Sequence, residues 1–388
     1  MEEKRKAPEL RFPDFTDDWE KRKFRDILVT LPFKQYLKVP DVFGKYEVIQ
    51  QGNNPVMGYA NGIPCTNYED TVIFGDHTLS LYKPDKPFFV ATDGVRILKG
   101  NNGMNGNFLN VLLQKYKPAS EGYKRYYSIL ADCDCMLTEN HDEQKRIGAF
   151  FSTIDKAIAL HQRKENLLRE LKKGMLQKIF SQEIRFKDDN GQDFPDWEEN
   201  ILGNICVFIN GDRSRNYPST NDFVDNGIPF IGSNSLGEHD VNMSNIRFIS
   251  ELKYRNMKGI KIKTGDILYT LRGAGFGKSS IANFTDGTIA SSLVGIRANA
   301  EKVTPEYLFQ WMNSDSESME RYKAVSGSTA QNISVDDMKR YKIMLPSLSE
   351  QMKIARYFTH VDSLIATEQK KVSSLQTMKK GFLQKMFV

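Results

Sequence analysis

Residues 143–180, EQKRIGAFFSTIDKAIALHQRKENLLRELKKGMLQKIF, recur at 350–387 as EQMKIARYFTHVDSLIATEQKKVSSLQTMKKGFLQKMF. The two copies align without a gap at a shift of 207, with about 17 of 38 positions identical. Among the identities are Glu143/Glu350, Gln144/Gln351, Ile147/Ile354, Phe151/Phe358 and Asp155/Asp362. A repeat of this length fixes architecture before any motif does. Upstream of each copy lies a second matching pair, LRFPDFTDDWEKRKFRDI (10–27) and IRFKDDNGQDFPDWEENILGNI (184–205). Trp19 and Trp197 each sit in a D-W-E triplet, with Ile27 and Ile205 at equal distances beyond. The chain is one frame written twice around two stretches, 28–142 and 206–349, that share no convincing similarity beyond their ends. One scaffold displaying two different specificities follows.

The repeated segments are long helices. In the second, Ile354, Phe358, Val361, Ile365, Val372, Leu375, Phe382 and Met386 fall at alternating three- and four-residue steps, a coiled-coil seam interrupted by Glu368 and Lys379. The first gives Ile147, Phe151, Ile154 and Ile158, then polar His161, Glu165 and Lys172 at the same phase. Neither seam is fully apolar, so each helix needs a partner, and the obvious one is the other copy. At 1.5 Å per residue each would be about 57 Å long, a rigid spacer. Gly174 and Gly381, near the C-terminal ends, read as close-approach or helix-weakening positions.

The variable stretches read as mixed α+β modules. Strand-like runs are YEVIQ (46–50), DTVIFGD (70–76), PFFVAT (87–92) and GVRIL (94–98), then GIPFIGS (227–233), GDILYTLR (265–272) and TIASSLVGIR (288–297). NGNFLNVLLQKY (105–116), PEYLFQWMNS (305–314) and the stretch after it read as helix. LRGAGFGKSS (271–280) approaches a phosphate-binding loop, but the position six before its lysine is Arg272, not glycine, and strand-like sequence follows where a helix must open. It reads instead as a glycine-rich hairpin loop, either a plain turn or one whose amides, Arg272 and Lys278 approach a nucleic-acid backbone.

Other polar, turn-rich stretches supply candidates for the same contact. They are Gln51 and Asn53 in IQQGNNP, Lys99 in ILKGNNG, Lys124 and Arg125 in GYKRYY, Arg213 and Arg215 in NGDRSRNYPS, Asn234 in IGSNS, and Ser328 and Gln331 in GSTAQNIS. The basic run KYRNMKGIKIK (253–263) reads equally as a solvated surface. Net charge is +5, and its distribution is weak where a reader would need it: about −1 over 28–142 and about +2 over 206–349, against about +5 and +4 on the two helices. Charge alone does not lead to DNA.

No catalytic constellation is legible. Five histidines form no close metal-spaced pair, G-x-S-x-G is absent, and Asp336–Asp337 beside a helix start reads as capping. Cys65, Cys133, Cys135 and Cys206 fit no zinc spacing. The N-terminus lacks the apolar core of a secretory signal, and no run of 18 apolar residues occurs, so a reduced cytoplasmic protein off the membrane is expected.

The pattern as a whole, PELRFPDFTDDWE, EQKRIGAFFSTIDKAI, KKGMLQKIF, FPDWEENILGNI, LPSLSEQMKIARYFTHVD and KKGFLQKMF in that order, resembles the specificity subunits of type I restriction–modification systems over essentially the whole chain. The first copy has MLTENHD where the second has MLPSLS, so one proline has no counterpart. The resemblance implies an α+β fold with an internal pseudo-twofold repeat: two target-recognition domains (1–142 and 181–349) separated by two long antiparallel coiled-coil helices (143–180 and 350–388). It implies a non-catalytic subunit that reads a split sequence in double-stranded DNA and docks two methyltransferase subunits, with restriction subunits joining. No cofactor is expected on this chain; S-adenosylmethionine, ATP and magnesium belong to the partners. The rival expectation is a coiled-coil scaffold with two protein-binding modules.

Overall fold

The computed structural model describes residues 7–212, 214, 216–257, 261–325 and 331–388. The candidates Arg213, Arg215 and Ser328 lie outside the described residues. Two compact units emerge, one of residues up to Arg163 together with Gln369–Val388, the other Lys164–Glu368.

The first unit runs β1 (Glu20–Lys23), α1 (Phe24–Ile27), β2 (Leu28–Leu31), β3 (Tyr46–Ile49), β4 (Val56–Ala60), β5 (Thr71–Gly75), β6 (Leu81–Tyr82), β7 (Phe88–Val90), β8 (Val95–Gly100), α2 (Gly106–Tyr116), α3 (Tyr127–Asp132) and β9 (Asp134–Leu137), and then enters α4 (His141–Phe180). Strands β2-β8-β5-β6 form one antiparallel sheet, β4-β3-β7 a second in which β3 and β7 are parallel, and β1 pairs with β9. Every residue of β5 is buried, which explains its unbroken apolar reading. Asn105 caps α2 by accepting from the amides of Asn107 and Phe108, and Phe108, Leu109 and Leu112 then point into the core.

The second unit contains β10 (Glu198–Ile201), α5 (Leu202–Ile205), β11 (Cys206–Asn210), β12 (Phe223–Val224), β13 (Ile228–Ile231), β14 (Arg247–Ile249), α6 (Glu251–Asn256), β15 (Ile267–Thr270), β16 (Ser279–Ile281), β17 (Thr288–Ile289), β18 (Leu293–Ala298), α7 (Pro305–Met312), α8 (Asp315–Val325), α9 (Val335–Lys339) and β19 (Lys342–Leu345), followed by α10 (Leu348–Lys385). Its sheet β11-β18-β15-β16 repeats the order of β2-β8-β5-β6; β13 runs parallel to β17 as β3 does to β7; β10 pairs with β19 as β1 does with β9. The two variable stretches thus share a topology without sharing sequence. The run 288–297, read as one strand, is two, broken at 290–292.

The long helices begin 207 residues apart, at His141 and Leu348. Glu139 stands where the second copy has Pro346, and both helices keep a cap at the next residue: Asn140 Oδ1 accepts from the amides of Asp142 (3.0 Å) and Glu143 (3.2 Å), as Ser347 Oγ does from that of Glu350 (3.4 Å). Of the seam residues, Ile147, Phe151, Ile154, Ile354, Phe358, Val361 and Ile365 are buried and Ile158 is half-buried. Each unit is closed by the end of the other copy. Met386 and Phe387 join Trp19, Phe108 and Phe151 in the first core, while Ile179 and Phe180 join Trp197, Tyr307 and Phe358 in the second. Burying one such phenylalanine contributes about 2–3 kcal/mol.

The polar interruptions of the seam are paired. Lys379 meets Asp155 at 2.5 Å in the first unit; in the second, Lys172 meets Asp362 at 2.7 Å and Lys164 meets Glu368 at 3.1 Å. Numbers rise along one helix as they fall along the other, so the half-helices in each unit run antiparallel. A Cβ on Gly174 or Gly381 would meet nothing within 4 Å, which removes the close-approach reading of these glycines.

Candidate nucleic-acid interface

The frame of each unit is locked by the glutamate–glutamine pair that opens its long helix. Glu143 and Glu350 are fully buried. Arg11 donates to both oxygens of Glu143 (2.6 and 2.8 Å), and Arg185 to both of Glu350 (3.3 and 2.7 Å). These fork-to-fork bonds tie the upstream frame to the helix. Gln144 accepts from the amide of Asn105 (3.3 Å), and Gln351 from that of Thr304 (2.9 Å), so each glutamine holds the capping residue of α2 or α7. What is left free to vary is the loops.

In the first unit, four loops converge beyond the C-terminal end of β5. Asp76 is buried and gathers them: its carboxylate accepts from the amide of Tyr127 (2.8 Å) and pairs with Arg96 (3.3 Å). Gln51, in the loop after β3, accepts the His77 amide through Oε1 (3.1 Å). The His77 ring faces the Lys124 carbonyl through Nδ1 (3.0 Å), so it carries its proton there, and it stacks on Tyr123 at 4.7 Å and 2°. Tyr123 is 85% exposed. Asn53, Lys124 and Arg125 are exposed around it, with Lys124 paired to Glu121 at 2.7 Å.

The second unit builds the equivalent corner from different residues. Asn234 follows β13 as Gln51 follows β3, and Ala290 N–H donates to the Ile231 carbonyl (2.8 Å) as Ala91 N–H does to that of Ile49 (2.8 Å). The hairpin between β15 and β16 carries Gly273, Gly275 and Gly277 at φ of 82°, 86° and 84°, a left-handed run that side chains disfavour. Arg272 Nη2 donates to the Ser291 carbonyl (2.7 Å), and the Arg272 backbone bridges to Asn332, beside exposed Gln331. Lys278 and Asn234 are exposed. Within the hairpin, Phe276 meets the guanidinium of Arg321, from α8, at 5.4 Å.

The structure therefore brings Gln51, Asn53, Lys124 and Arg125 to one corner, and Asn234, Arg272, Lys278 and Gln331 to its counterpart. Lys99 is not among them. It sits at the opposite end of β5, level with Thr71, and pairs with Asp70 at 3.2 Å. In the basic run, Lys253 pairs with Asp222 (3.0 Å) and Lys261 donates to the carbonyls of Tyr254 and Met257, so these cations are engaged internally. His77 and Tyr123 were not read from the sequence; the neighbouring lysine and arginine were the available signal for Tyr123. Each corner offers amides, cations and an exposed edge, the donors that base edges and phosphates accept.

Among the described residues no group of three or more His, Cys, Asp or Glu is placed to hold a metal ion, and no helix is long and apolar enough to cross a membrane. All four cysteines are free. Burial pushes the Glu317 carboxyl up to about 7; it accepts from Tyr269 O–H and lies 3.3 Å from Arg321, inside the core.

A model of the type I restriction modification DNA specificity domain matches residues 195–377. The putative type I restriction enzyme MjaX specificity subunit of Methanocaldococcus jannaschii is 29% identical over 251 residues, 62% of this chain and 56% of that protein. The type I restriction enzyme MjaVIII specificity subunit of the same organism is 24% identical over 252 residues, 62% of this chain and 58% of that protein. The matched stretch thus spans less than two thirds of either relative. In fold, the chain is similar to the crystal structure of a type I restriction-modification system S subunit from M. genitalium, with a TM-score of 0.68, 17% identity, and 98% and 99% of the two chains covered. The duplicated frame, its paired loop corners and these matches point one way: residues 195–377 match the type I restriction modification DNA specificity domain, and the chain is similar in sequence and in fold to type I specificity subunits.

Proposed function

We propose that this chain is the non-catalytic DNA-specificity subunit of a type I restriction–modification complex in the cytoplasm. In this reading 1–142 and 181–349 are target-recognition domains, each reading one half of a bipartite target in double-stranded DNA. Segments 143–180 and 350–388 are coiled-coil spacers that set the separation and dock two methyltransferase subunits, with restriction subunits joining. S-adenosylmethionine, ATP and magnesium sit on those partners. Gln51, Asn53, Lys124 and Arg125 contact one half-site, and Asn234, Arg272, Lys278 and Gln331 the other; Arg213, Arg215 and Ser328 remain candidates, and Lys99 stands apart.

The observation that carries this reading is the pair of equivalent corners. One topology, one set of braces and one loop position display different polar side chains in the two units, which is what reading two different half-sites requires. The helices of 40 and 38 residues supply about 60 Å of spacer.

Methylation sequencing of cells carrying this chain with its methyltransferase partner tests it. The expected result is a split motif with a fixed gap, in which exchange of 28–142 changes one half alone. Four residues inserted within 156–170, with a matching insert in α10, should lengthen the gap by about two base pairs, from ~6 Å of helix and ~3.4 Å per pair. A motif that changes in both halves, or no motif at all, overturns the reading.

A further inference from the structure

Segment 37–45 and the turn 61–63 of the first unit hold apolar side chains in the open: Val42 is 90% exposed, Phe43 88%, Ile63 87% and Val39 78%. Single exposed hydrophobics are ordinary, but a group of this kind marks a binding surface. The segment is firmly held. Asp41 N–H donates to the Tyr59 carbonyl (2.8 Å), Asn61 N–H to Asp41 Oδ2 (2.8 Å), and Asn61 Nδ2 to the Phe43 carbonyl (2.5 Å). Gly58 makes room for Pro40, and Gly44 lies so close to the Tyr59–Ala60 backbone that a Cβ would come within 2.1 Å of it. The fold thus presents Val42 and Phe43 on a fixed tip.

The surroundings of the tip indicate its partner. Lys38 and Lys45 are exposed beside it and pair with no carboxylate among the described residues; their ammonium groups lie over the rings of Phe89 (6.0 Å) and Tyr46 (5.3 Å). Of the nearby carboxylates, Asp41 accepts the Asn61 amide, and Glu47 pairs with Lys86 and accepts from Tyr82. The second unit covers the matching edge: β12 pairs with β14, and Phe223 packs on Phe230 at 5.5 Å under the Arg247 guanidinium. An apolar tip flanked by unpaired lysines suits a partner with a stacked, apolar interior and an anionic rim.

We propose that this tip is a wedge for duplex DNA. Phe43, with Val42, presses into a base step from the minor groove, and Lys38 and Lys45 meet the flanking phosphates. The inference rests on the DNA-reading function above. Strands β3 and β4 join through the loop that holds Gln51 and Asn53, and the tip stands at their other end. Four to five residues at about 3.3 Å each place it roughly 15 Å away. That is about four base pairs beyond the bases the Gln51 loop would read, at ~3.4 Å per pair.

The test uses the full chain assembled with its methyltransferase partner and a duplex carrying the mapped target, with 2-aminopurine stepped through the flank of the first half-site. The wild type should brighten one position about four pairs outside the half-site. Phe43→Ser should abolish that signal and weaken binding about tenfold, the scale of one lost stacking contact, and Phe43→Trp should restore both. Equal affinity of Phe43→Ser and wild type, or no brightened position, overturns the wedge while leaving the parent reading intact. A Phe43→Ser protein that binds DNA normally but fails to assemble also overturns it, by making the tip a protein-docking surface. A wild-type complex with no mapped target overturns the parent reading and the wedge together.

Discussion

Glu143 in the first unit and Glu350 in the second occupy equivalent places and keep different company. Both are fully buried, and both receive an arginine from the upstream frame. Glu350 also accepts the Trp197 indole N–H at 3.1 Å, whereas the indole N–H of Trp19 is buried without a hydrogen-bond partner among the described residues. The difference extends outward. The second unit adds α8 behind its glycine hairpin and β12 along an edge that the first leaves as an exposed apolar tip. Identity lies in the repeated helices and their braces, and the surfaces that this frame supports are where the units diverge.

Removing the shared braces should have the largest effect. Glu143→Ala and Glu350→Ala each strand a mostly buried arginine, at a cost of about 3–5 kcal/mol. Glu350→Ala should be the worse of the two, because it also strands Trp197. Hydrogen exchange resolved by unit would read this, and equal losses would break the comparison. The next effect belongs to the second unit alone. Glu317 binds its proton more tightly folded than unfolded, because burial raises it from 4.5 to about 7. Its contribution is complete below about pH 4.5 and is lost as pH rises through 7. Glu317→Gln cannot titrate, so its stability relative to wild type should climb by about 2–3 kcal/mol between pH 5 and pH 8. A difference that stays flat over that range would remove the buried-acid account of how α8 is anchored.

How far the sequence discloses these features depends on the distance over which each is encoded. The helices, their start points and their buried stripe are local and repeated, so they could be read directly. The role of Glu143 could not, because Arg11 lies 132 positions away and no spacing rule connects them. Gln51, Asn53 and Asn234 were legible as loop residues from their glycine and asparagine neighbours; that they share one topological position appears only when β3 and β13 are seen beside β7 and β17. Lys99 lies apart from the other candidates because a loop-like sequence, ILKGNNG, begins inside β8, whose antiparallel pairing with β5 carries the lysine to the far end. His77 and Tyr123 were invisible for the same reason that makes them interesting: their stack is a contact between loops 46 residues apart.

Smaller effects separate the two tryptophans. Trp197→Phe forfeits a hydrogen bond to a buried carboxylate as well as packing volume; Trp19→Phe forfeits volume alone and relieves a buried, unbonded N–H. The charge-assisted bond is worth about 1.5–3 kcal/mol, so the second unit should lose that much more than the first in chemical denaturation followed unit by unit. Equal losses would mean that a bound water satisfies Trp19.

The smallest contrast lies in the helix pairs. Lys172–Asp362 and Lys379–Asp155 are equivalent at a shift of 207, but Asp362 is 14% exposed and Asp155 36%. Water screens the second pair more, and a half-exposed ion pair is worth about 1 kcal/mol or less. Lys172→Met should therefore change stability more than Lys379→Met, and raising salt should shrink the Lys379 effect first. A larger effect at Lys379 would mean that the ion pair closing the first unit is shielded from solvent, and the two helix ends would then have to be treated as equals.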